Sequence, residues 1–72
     1  MSESGVRVLL GVRGLDDSER PRVHAALREI SGVLAVEAAD AEQVAVRYDD
    51  GETTVMAMIR ALRRLGYLAG ME

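Results

Sequence analysis

The chain predicts an α+β fold: one four-stranded antiparallel sheet with two helices on one face, in the order βαββαβ. Three observations carry this. Valines alternate through two short segments, two apolar stripes recur at helical spacing, and glycine-containing breaks punctuate the boundaries. The 72 residues suffice for one domain with one modest core, read as spanning 1–72 with its core over 6–69.

The first strand runs Val6 to Arg13, with Val6, Val8, Leu10 and Val12 on one face and Arg7, Leu9, Gly11 and Arg13 on the other. Gly14 to Asp17 is a polar break. A helix follows, with Asp17 or Ser18 as N-cap, Glu19 near its positive end and Pro21 in its first turn, where a missing N–H costs nothing. Val23, Ala26, Leu27 and Ile30 form its apolar stripe, and Ser31-Gly32 stops it.

Val33 to Ala38 and Val44 to Tyr48 are two strands of a hairpin around Ala39 to Gln43. Asp49-Asp50-Gly51 turns the chain, and Thr53 or Thr54 caps a second helix with the stripe Val55, Met58, Ile59, Leu62 and Leu65. Gly66 ends it, and Tyr67-Leu68-Ala69 is a short last strand. Right-handed crossovers in both βαβ units give the ferredoxin-like split arrangement, with the first and third strands central.

Composition excludes several classes. There is no cysteine, so neither a disulfide scaffold nor a thiolate site is available. All basic residues are arginine, and the net charge of −3 argues against a general nucleic-acid binder, whose affinity rests on neutralising phosphates. Met1 to Ser4 lacks the basic start of a signal peptide, and Val6 to Val12 is too short to span a membrane. The expectation is a soluble cytoplasmic protein with no membrane partner.

Val12-x-Gly14-Leu15, Val23, Ala26-Leu27, Gly32-Val33, Val36, Val44-x-Val46-x-Tyr48-Asp49, Val55, Ile59, Ala61-Leu62 and Gly66-Tyr67 stand at a joint spacing that resembles the heavy-metal-associated (HMA) family. That family includes small copper chaperones and the N-terminal modules of metal-pumping ATPases, and the resemblance covers residues 6 to 69. Its signature is a glycine, a methionine, one residue and Cys-x-x-Cys opening the first helix, two thiolates that hold a soft ion. Here the segment is Gly14-Leu15-Asp16-Asp17-Ser18-Glu19-Arg20. Counting back from the helix puts Asp16 and Glu19 at the cysteine positions; counting forward from Gly14 puts Asp17 and Arg20 there. Either way the soft donors are gone, and the resemblance does not carry copper transfer to this chain.

The remaining chemistry is sparse. One end of the sheet should gather Asp16, Asp17, Glu19, Asp40 and Glu42 beside Arg63, Arg64 and Tyr67. Asp16, Asp17 and Glu19, with His24, are the candidate ligands for a hard divalent metal; the simpler reading is a solvated loop that caps a helix. Asp16, Asp17, Glu19, Arg63, Arg64 and Tyr67 are the candidate partner-contact residues. Met58 belongs to the core stripe, while Met56 lies off it and Met1 and Met71 sit near the termini, so no methionine cluster replaces the thiols. No catalytic triad or phosphate loop is present, and the open sheet face offers Arg7, Leu9, Arg13, Ala45 and Arg47 rather than the aromatic residues that stack RNA bases. The expected function is therefore a non-catalytic HMA-like module working by protein contact in a metal-handling or regulatory setting, without a cofactor; the alternative is a divalent metal-binding protein using the loop carboxylates.

Overall fold

A computed structural model describes residues 5–71. Its elements are β1 (Gly5–Arg13), α1 (Arg20–Arg28), β2 (Val33–Ala38), β3 (Gln43–Asp49), α2 (Val55–Arg64) and β4 (Leu68–Met71). The strands form one antiparallel sheet in the order β2-β3-β1-β4, so β1 and β3 are central as the connectivity requires.

Register explains the core. Val6, Val8 and Leu10 of β1 stand opposite Tyr48, Val46 and Val44 of β3, which places the alternating apolar residues of both strands on one face. That face meets the helix stripes: Leu10, Val12, Val44, Val46, Val23, Leu27, Met58 and Leu62 are essentially inaccessible and belong to one cluster. Val33, Ile30, Val55 and Leu65 pack around it, partly buried. On the other face Arg7, Arg13 and Arg47 are exposed, whereas Ala45, between Leu9 and Glu37, is too short to reach past its neighbours and is buried.

Several boundaries differ from expectation: β1 begins at Gly5, β3 extends over Gln43–Asp49, β4 runs on to Met71, and α1 ends at Arg28, ahead of Ile30 and Ser31-Gly32. Two further shifts have a visible cause. The last strand begins at Leu68, not Tyr67, because the Tyr67 amide donates to the Leu62 carbonyl (3.1 Å) and the ring packs into the core as part of the helix-to-strand turn. The first helix begins at Arg20 after a turn over 17–19, with the Glu19 and Arg20 amides both bonded to the Asp16 carbonyl at 3.0 and 3.1 Å. Its N-cap is Glu19, not Asp17 or Ser18, and Glu19 makes no side-chain capping bond. Asp16 braces the preceding turn instead, its Oδ1 taking the Glu19 amide (3.1 Å) and the Ser18 hydroxyl (2.7 Å). In α2 the choice falls on Thr54, whose hydroxyl accepts from the Ala57 amide (3.2 Å), while Thr53 is buried.

Gly32 adopts φ +98°, and a Cβ there would stand 2.6 Å from Glu52 Cβ. This α1–β2 turn packs against the start of the α2 connection, so only glycine fits.

Candidate site at the hairpin end

The β1–α1 loop, the β2–β3 hairpin and the α2–β4 turn converge at one end of the sheet, and three polar links tie them together. Arg20, in the first turn of α1, reaches the hairpin: its guanidinium donates to the backbone carbonyls of Gln43 and Asp40, both at 3.2 Å. Its Nε also faces Asp17 at 3.4 Å, although the Asp17 side chain itself is fully exposed. Tyr67 donates its hydroxyl to the Glu19 carboxylate, joining the α2–β4 turn to α1. Glu42 holds the other side: its carbonyl accepts from the Val12 amide (2.7 Å) and its carboxylate from the Gly14 amide (3.1 Å). Glu42 does so in a left-handed conformation (φ 63°), uncommon for a residue with a side chain and sustained here by those two bonds.

These links shape the titration of the end. The Glu19 carboxylate, as acceptor of the phenol proton, raises the Tyr67 pKa, with burial adding to the effect. His24 lies on the next turn of α1, half-buried, with Nε2 enclosed and unpartnered; burial lowers its pKa, and the nearby Arg20 and Arg28 add to this.

The structure thus joins Glu19 to Tyr67, and Asp17 through Arg20 to the hairpin, while Asp16 turns its carboxylate inward to its own loop. Arg63 and Arg64 are exposed in the last turn of α2, and Arg63 borders a groove shared with Ala41, Glu42 and Gln43. Asp16, Asp17, Glu19 and His24 do not converge: among the described residues no group of three or more acidic, histidine or cysteine side chains is arranged to hold a metal. Met58 is core, whereas Met56 and Met71 are exposed; Met1 and the residues to Ser4 lie outside the described residues. Arg20 is the residue that sequence reasoning undervalued. Its signal was its place at the opening of the first helix, within reach of a hairpin that the topology brings alongside.

No family model matches the chain, and no curated protein matches it. Among solved structures, oxidized MerP from Ralstonia metallidurans CH34 superposes with a TM-score of 0.87 at 26% identity, over 94% of this chain and 97% of that one. The copper chaperone of Enterococcus hirae in its apo-form gives 0.80 at 25% identity, over 90% of this chain and 98% of that one. A CopZ metallochaperone gives 0.82 at 30% identity, over 90% of this chain and the whole of that one (100%). The chain belongs to the heavy-metal-associated family. It is an HMA domain without a single cysteine, and at the end where the family's resemblance sets a thiolate pair Arg20 bonds to the hairpin and Tyr67 to Glu19.

Proposed function

We propose that this HMA domain is a non-catalytic contact module that binds a partner protein in a metal-handling or regulatory setting, having given up soft-metal transfer. One observation carries the reading: at the hairpin end Asp16, Glu19, Arg20 and Tyr67 are engaged in bonds that hold the fold together. A guanidinium is bonded to two hairpin carbonyls, and a tyrosine is bonded to the carboxylate nearest the helix start. A chelating loop must be able to turn its donors toward an ion; here they brace the fold. Asp17, Arg63 and Arg64 stay exposed around this braced end and offer mixed charge to a partner, with Asp16, Glu19 and Tyr67 fixing the surface behind them.

A protein partner suits the molecule better than nucleic acid or lipid. Both tyrosines, the only aromatic residues, are buried in the core, which leaves no platform for base stacking. Among the described residues no helix is long and apolar enough to cross a membrane. The cytoplasm is the setting this reading implies.

The test has two arms. Titration with Cu(I), Zn²⁺, Mg²⁺, Mn²⁺ and Ca²⁺ should leave the melting temperature unchanged, because a ligand that binds only the folded state must raise it. A partner isolated from the host should lose on-rate and salt dependence with Asp17→Arg, as a rim charge would. A metal-dependent rise in Tm that disappears in Asp17→Asn or Glu19→Gln would instead establish the carboxylate-metal reading.

A further inference from the structure

The two edges of the sheet are guarded very unequally. Exposed edge strands invite pairing with other chains, and proteins blunt them with charges, prolines and bulges. The β2 edge has two such devices, a register irregularity between Val33 and Ala35 and the charge of Glu37. The β4 edge, Leu68-Ala69-Gly70-Met71, has none: no charge, no proline, no bulge, and no described strand along its outer side. Leu68 and Met71 are also the most exposed large hydrophobic residues of the described chain, at 67% and 65%.

Beside this edge lies a groove of about 470 Å³. Gly11 and Gly70 are paired across β1 and β4, so two adjacent positions on the sheet contribute no side chain. Arg13 and Arg63 stand at its margin, and neither guanidinium makes a hydrogen bond or ion pair among the described residues. The chain as a whole is acidic, at −3, whereas this groove sets two guanidinium groups against one carboxylate, that of Glu42, which is a local reversal of charge.

We propose that β4 is a docking edge for an extended acidic segment of a partner protein, which adds as a fifth strand and sets carboxylates against Arg13 and Arg63. Backbone pairing supplies the attachment, and alternate side chains entering the glycine groove supply selectivity. Charge complementarity decides the occupant. A second copy of this chain would bring another Arg13 and Arg63 to the same groove and set like charges together, whereas an acidic segment relieves them. This surface shares Arg63 with the hairpin end, but the β4 edge does not depend on that reading, and either can fail alone.

The experiment uses the full chain and a short peptide alternating glutamate and valine, followed by amide NMR shifts; the matched arginine–valine peptide is the control. Saturable shifts centred on Leu68–Met71 and Gly11–Arg13 with the acidic peptide alone are expected. Arg13→Glu should weaken binding by about tenfold or more, as for a close charge pair. Gly70→Val should abolish it by filling the groove. A Cβ at Gly70 has nothing within 4 Å, so the variant keeps the fold, and its unchanged melting curve establishes this. Three results overturn the proposal: no shifts at β4, shifts at β2 instead, or β4 shifts that arise with protein concentration alone, which would make a second copy the occupant.

Discussion

At Asp16 one carboxylate oxygen accepts two hydrogen bonds, from the Glu19 amide and the Ser18 hydroxyl, so its removal leaves the amide that leads into α1 with only its backbone bond to the Asp16 carbonyl. Asp16→Ala should cost about 1 kcal/mol in urea denaturation, as loss of an N-cap side-chain bond does. Asp17→Ala should stay within about 0.5 kcal/mol, because it loses only an exposed pair with Arg20. The sequence pattern placed the cap at Asp17 or Ser18, whereas the N-cap is Glu19 and the bracing carboxylate is Asp16. Asp16, Asp17 and Ser18 are all good caps, and only the turn over 17–19 decides which of them braces the helix start. Leu27 and Leu62, both wholly inaccessible, were legible from periodicity; either truncation to alanine should cost about 2–5 kcal/mol, comparable to the whole stability of so small a domain. Two titrations can be checked on the same protein. His24 has a lowered pKa, so its folded form favours the neutral ring; stability should be full above pH 6.5 and fall as the pH drops below it, and His24→Gln should flatten that fall. Tyr67 has a raised pKa, so its contribution is present below pH 10.0 and lost as the pH rises through the higher folded value. The stability advantage of the parent over Tyr67→Phe should therefore shrink in alkaline melts.

The elements themselves were readable because each repeats a short-range rule. Val8, Leu10 and Val12 alternate, Met58, Ile59 and Leu62 recur at helical spacing, and Gly66 directly follows the C-cap of α2, whereas α1 ends at Arg28, ahead of Gly32. The links between elements were not readable. That Arg20 meets the carbonyls of Asp40 and Gln43, or that Tyr67 meets Glu19, depends on where α1 settles over the hairpin to within an ångström or two. The turn glycines divide in the same way. Gly66 and Gly32 both have positive φ, +101° and +98°, and look equivalent in the sequence. Gly66 has open space where a Cβ would go, so Gly66→Ala should cost only the backbone preference, about 1 kcal/mol. Gly32→Ala must also push Glu52 aside and should be clearly more destabilising in the same melts. Equal losses would mean that the α1–β2 turn yields without displacing the α2 connection.

For the molecule as a whole, the topology followed from element order once right-handed crossovers were assumed, since that leaves β1 and β3 in the middle. What the domain does with its altered end was not legible, because the change from thiolates to an acidic loop with Arg20 removes one chemistry without naming another. The central place of β1 has a further consequence, for the order in which the chain can fold. β1 is synthesised first, yet its partners β3 and β4 come from the middle and the far end of the chain, so its ladders close only over long loops. A nascent chain that has made β1, α1 and β2 holds the sheet's central strand β1 with both edges bare. Residence on the ribosome, or any pause before Leu68, is when this protein is most exposed to aggregation.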